Sequence, residues 1–248
     1  AFCVITIEDL MKKLRLGEFE RNSLVVFAIT MIANVLSYLY QIVMGNMLTP
    51  ADYGTVNTLL SLSVVVGVPS GIISALTATY TAKYHAHGET FAIAAFMHGM
   101  LRVAAVLAAI VFVVGALLSR PIAHVLQIDD PHYVTVVMVL VASNCLGPVF
   151  SSTLQGVKRF IPYSMNSVLS FAFRLLLGVI FVWLGWGIPG ALAALILAAC
   201  LTMLYCLFKS RDLFFAPVKE KLALDRTEIR RYFVSTFWFQ LFLLLMAN

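Results

Sequence analysis

Six long apolar runs, followed by a seventh that begins near residue 232, divide this 248-residue chain, and its Lys and Arg residues sort by the gap they occupy. The runs cover residues 22–45, 54–82, about 91–118, 133–155, 162–184 and 188–208. Each reaches the ~20 residues that cross a ~30 Å hydrocarbon layer at 1.5 Å rise per residue. Of seventeen Lys and Arg residues, fourteen fall in alternate gaps: Lys12, Lys13, Arg15 and Arg21 before the first run, Lys83 after the second, Lys158 and Arg159 after the fourth, and the remaining seven between the sixth and seventh. Arg120 alone occupies the opposite gaps, and Arg102 and Arg174 lie inside runs. By the positive-inside rule the cation-rich gaps are cytoplasmic, so the amino terminus is expected inside. The fold expected is an all-α, polytopic transmembrane helix bundle of six complete spans and the start of a seventh.

A hydrophobic fraction of 61% with 12% charged residues excludes an ordinary soluble domain, in which about a quarter of residues are charged. The net charge of +5 does not point to nucleic acid, because the cations follow membrane sides rather than a single polar face. With no water in the bilayer core, the runs must be helices, and no barrel-like alternation competes with that reading. The first run is too long for a signal-peptide core and lacks a small-x-small exit, so it is read as a retained span. The organisation expected is a cytoplasmic segment with an interfacial helix over 1–21, a six-span bundle over 22–208, a cytoplasmic linker over 209–231 and a truncated seventh span over 232–248. The chain lacks an initiator Met and stops within an apolar run, so a missing carboxyl-terminal bundle is expected. The location expected is the plasma membrane.

Polar residues at helical spacing mark inward faces. Thr30, Asn34, Ser37 and Gln41 share one face of the first span, Ser70, Ser74, Thr77 and Thr81 one face of the second, and Asn144, Gly147, Ser151 and Gln155 one face of the fourth. Two explanations stand side by side: close packing through small and hydroxyl residues, or a hydrated central cavity. Gly67-Val68-Pro69 in the second span and Gly147-Pro148 in the fourth predict bends, since Pro removes a backbone donor.

The fifth span gives a sharper indication. Tyr163, Asn166, Ser170 and Arg174 lie on one face, with Arg174 near mid-membrane. An Arg at that depth costs about 2.5 to 3.5 kcal/mol on translocon scales, so it should face the bundle interior or water. An anionic cargo is one partner for it, because a guanidinium fork matches phosphate oxygens; a structural role held by backbone carbonyls is the other. Candidate substrate-binding residues are therefore Arg174, Asn166 and Ser170, joined by Asn34 and Gln41 from the first span. Arg102, one turn after His98, is a further candidate, set against a side chain that snorkels to the headgroups. All twelve Asp and Glu residues lie outside the spans, so the intramembrane carboxylate usual in proton- or cation-coupled exporters is missing from this sequence. Cys3, Cys145, Cys200 and Cys206 form no CxxC or Cys/His pattern, and no phosphate-cradling loop, HExxH or nucleophile and base pair occurs. Neither a metal, a cofactor nor an enzymatic activity is expected.

Three stretches carry a family resemblance: Leu48-Thr49-Pro50-Ala51-Asp52-Tyr53-Gly54; Thr79 to Glu89, including Lys83, His85 and Gly88; and Gln155-Gly156-Val157-Lys158-Arg159-Phe160 followed by Arg174 and Leu184-Gly185-Trp186-Gly187-Ile188-Pro189-Gly190-Ala191. With them the chain resembles the amino-terminal half of polysaccharide flippases of the multidrug/oligosaccharidyl-lipid/polysaccharide exporter superfamily. The resemblance implies two helical bundles around a cavity that opens alternately to each side, with a polyprenyl-diphosphate-linked oligosaccharide as cargo and Arg174 at the position that would receive its diphosphate. A cation-coupled small-molecule exporter of the same superfamily and a membrane scaffold without transport are the alternative readings.

Overall fold

A computed structural model of the protein describes residues 18–128 and 130–215, with side chains from residue 23 onward. The amino-terminal interfacial helix, most of the linker and the seventh span expected from the sequence lie outside the described residues. Among the described residues eight helices follow in order: α1 (Glu18–Met47), α2 (Pro50–Val66), α3 (Val68–Ala86), α4 (Thr90–Leu117), α5 (Ser119–Val125), α6 (Pro131–Gly156), α7 (Phe160–Trp183) and α8 (Gly187–Phe214). Among the described residues, five are long and apolar enough to cross a membrane, and α2 and α3, bent by 49° at their junction, pass the same test as a pair. The chain is an all-helical, multi-pass membrane protein, as its apolar runs require.

The quoted motifs fold into the turns between these helices. Thr49 caps α2, accepting from the Asp52 backbone N–H at 3.2 Å while its hydroxyl donates to Asp52 Oδ2 at 2.8 Å. Pro50 follows at the first helical position, where its missing N–H costs nothing. Between α7 and α8, Gly185 (φ 83°) and Gly187 (φ 51°) both take left-handed backbone that a side chain would strain, which accounts for the Gly-Trp-Gly turn. Before α7, the guanidinium of Arg159 clamps the carboxylate of Asp212 near the end of α8, with Nη1 at 3.1 Å from Oδ1, and it donates to the Lys209 carbonyl at 3.1 Å. A tether therefore joins the α6–α7 turn to the far end of α8.

Helix α6 stands at the centre, touching α2, α3, α4, α5, α7 and α8. Its residues enter three packed clusters: Val134 and Met138 with Met44, Leu59 and Leu192; Val149 with Ile72, Leu76 and Phe96; and Phe150 and Leu154 with Ile93 and Met97. Lipid tails are as apolar as Leu, so association depends on close fit and on small residues. Ala92, Ala94 and Ala104 on α4 and Ala191, Ala194 and Ala198 on α8 are fully buried. At the α3–α6 crossing, a Cβ on Gly156 would lie 2.7 Å from the Cβ of Thr81 and 2.8 Å from the Ala78 carbonyl oxygen. Val106, Ile110 and Val113 on α4 are left exposed.

Helix α6 runs as one helix through Gly147 and Pro148. The gap over 119–132 holds a short helix, α5, packed against α6.

Candidate functional site

A cavity of about 600 Å³ opens between α2, α3, α6, α7 and α8. The break at Gly67 borders it, flanked by Ser63 and Ser70, which satisfy local carbonyls: Ser63 Oγ donates to Leu59 O at 2.9 Å and Ser70 Oγ to Gly67 O at 2.6 Å. Irregular backbone at membrane depth is tolerated where it lines a cavity rather than lipid, and this span obeys that rule. Opposite, α7 presents Asn166, Ser170 and Arg174, one turn apart along the same face. From α6 come Ser143, Asn144, Gly147 and Ser151, and from α8 Thr202 and Cys206.

Arg174 is the only charged residue lining this cavity, and no carboxylate faces it among the described residues. It sits 14 residues into α7, about 21 Å along a helix about 36 Å long. Its guanidinium carbon lies 5.5 Å from the centre of the Phe171 ring, within cation–π range, and its Nε is buried with no hydrogen-bond partner among the described residues. The Tyr40 hydroxyl of α1 is likewise buried with no hydrogen-bond partner among the described residues. A guanidinium fork matches the oxygens of phosphate and carboxylate groups in geometry and charge.

The sequence-derived candidates divide. Arg174, Asn166 and Ser170 meet in the cavity. Asn34, Gln41 and Arg102 are exposed and do not line it; the buried edge of α1 is formed instead by Val25, Ile29, Ala33, Tyr40 and Met44. His98 turns towards α8, stacking on Phe214 at 4.4 Å. The polar stripe of the second span has both proposed uses. Ser70 lines the cavity, whereas Ser74 is hydrogen-bonded to Ser152 at 2.7 Å, and Thr77 and Thr81 are fully buried. Thr202 and Cys206, four apart on α8, also line the cavity and were concealed by hydropathy, since a Thr and a Cys scarcely interrupt an apolar run.

These features define a class: a helical membrane bundle around a cavity that holds one Arg and, among the described residues, no carboxylate. The family described as polysaccharide biosynthesis protein matches residues 19–247, and the chain belongs to it. A direct comparison with curated proteins finds no match. Among solved structures, the fold is similar to a MATE protein in complex with MaL6 (TM-score 0.73, 16% identity, 91% of this chain and 54% of that one). It is also similar to the Vibrio cholerae MATE transporter VcmN in its bent form (TM-score 0.71, 15% identity, 92% and 56%). A third likeness is to a MOP superfamily transporter from Pyrococcus furiosus (TM-score 0.65, 16% identity, 91% and 53%). The chain spans about half the length of these structures.

Proposed function

We propose that the complete protein is a flippase that moves a polyprenyl-diphosphate-linked oligosaccharide from the inner to the outer leaflet of the plasma membrane by alternating access, for cell-surface polysaccharide biosynthesis. Arg174, the one charged side chain among the described residues that line a cavity whose other polar groups are hydroxyls, amides and a thiol, carries this reading. In it Arg174 receives the diphosphate, and Asn166 and Ser170, on the same face of α7, donate to its oxygens or to the first sugar. Membership of the polysaccharide biosynthesis family supports the saccharide class of cargo. The Pyrococcus furiosus transporter is described as having a binding pocket of reverse polarity suggestive of a different function, so pocket charge differs among proteins of this fold.

The test is reconstitution of the complete transporter in vesicles, with a fluorescent polyprenyl-diphosphate saccharide placed in one leaflet and its arrival in the other read with an impermeant quencher. Transfer of the diphosphate lipid, and not of a neutral glycolipid with the same chain, is the expected result. Export of a lipophilic cation with no transfer of the diphosphate lipid would establish the exporter alternative instead.

A further inference from the structure

On the other side of the α7–α8 pair from the cavity lies a second concavity of about 850 Å³. One residue's offset separates the two surfaces of α7: Asn166, Ser170 and Arg174 face the cavity, while Met165, Leu169 and Phe173 line this outer groove. From α8 the groove takes Leu201, Leu204 and Phe208, and its single charged residue is Arg211. The guanidinium carbon of Arg211 rests 4.8 Å from the centre of the Phe208 ring, so the charge is held against the groove rather than waving free. No ion pair engages Arg211 among the described residues, whereas its neighbour Asp212 is taken by Arg159.

The dimensions select an occupant. Leu201 and Arg211 are ten residues apart on α8, about 15 Å, which is half the thickness of a ~30 Å hydrocarbon core. The groove is therefore one leaflet deep, apolar along its length and cationic at its headgroup end. We infer that it is a binding site for an anionic phospholipid, with one acyl chain lying along Leu169, Phe173 and Leu204 and the phosphate on Arg211. A free phosphate has no use for the apolar stretch, and a zwitterionic lipid gains little from one cation. Basic residues between transmembrane helices at the headgroup level are a general means of holding such lipids.

The experiment uses the complete protein, delipidated in a mild detergent and titrated with phosphatidylglycerol or phosphatidylcholine of identical chains, with retained lipid counted by native mass spectrometry. Phosphatidylglycerol should be retained about fivefold more strongly, the scale of one headgroup charge at one basic side chain. Arg211→Gln should bring that ratio close to one, and Leu204→Trp, which fills the groove, should lower retention of both lipids. Equal retention of the two by the wild-type protein, or an undiminished preference in Arg211→Gln, would overturn the assignment. So would displacement of phosphatidylglycerol by an equimolar polyprenyl phosphate, which would give the groove to the cargo's tail.

Discussion

The thiol of Cys206 on α8 donates a hydrogen bond to Asn166 Oδ1 on α7 at 3.2 Å, at the wall of the central cavity. This contact orients the amide that the proposed cargo would meet, and it links α7 to α8 at the cavity wall. Replacing Cys206 with Val keeps the volume but removes the donor. The expected loss is about 0.5 kcal/mol, the low end for a neutral hydrogen bond because S–H is a weak donor. Thermal unfolding of Cys206→Val, Asn166→Ala and the double variant checks it: the two losses should be less than additive, and Cys206→Ser should be near neutral.

Gly156 permits the closest approach of α3 and α6. A side chain there meets the Ala78 carbonyl, which is backbone and cannot turn aside. Gly156→Val should therefore destabilise the bundle by about 1–3 kcal/mol, the usual cost of overpacking. Gly99, whose Cβ position has nothing within 4 Å, is the control: Gly99→Ala should be tolerated. Yield and melting temperature of the two purified variants give the comparison.

The Arg159–Asp212 tether lies beyond the apolar run that ends at Phe208. Hydrogen bonding from Arg159 holds the Asp212 carboxyl below its ordinary range, and the same bond raises Arg159. A carboxyl whose folded value is depressed adds stability above its unfolded value, about 3.9, and loses that contribution as pH falls through the lower folded value. With side-chain exposures of 41% and 52%, the pair is screened and is worth under about 1 kcal/mol. Asp212→Asn should lower the melting temperature slightly at pH 7 and low salt, and the difference from wild type should shrink in high salt and below pH 3.

The membrane orientation proposed from the sorted cations is directly testable. In a cysteine-free background, a cysteine placed at Asp52 should react with an impermeant thiol reagent added outside intact cells, and one at Lys158 should react only after permeabilisation. The reverse pattern would invert the topology proposed for the transporter.

Hydropathy alone exposed the six spans, because a bilayer leaves a long apolar run no option but a helix. The break at Gly67 was legible for the same reason: Gly-Val-Pro at mid-span removes backbone bonds that only a polar interior can replace. Arg174, Asn166 and Ser170 were legible through the cost of placing charge and amide in hydrocarbon. What spacing could not resolve was the use of each stripe. Thr30 bonds back to its own helix at Val26 and sits on an exposed face with Asn34, whereas Ser74 reaches across to Ser152. Period marks a shared face but not the neighbour it meets. Tyr40 and Cys206 were hidden because an aromatic ring and a thiol read as apolar in a run, although each brings a polar atom to a buried position.

The central claim is that Arg174 receives an anionic headgroup, and the most direct test is the rate of lipid-diphosphate saccharide transfer by Arg174→Ala and Arg174→Lys in the complete, reconstituted transporter at matched protein density. Loss of one charge-assisted contact of about 1.5–3 kcal/mol corresponds to roughly a tenfold to hundredfold drop in transfer for Arg174→Ala, with Arg174→Lys between that variant and wild type. Transfer at the wild-type rate by a correctly inserted Arg174→Ala would contradict the account and leave Arg174 a structural residue.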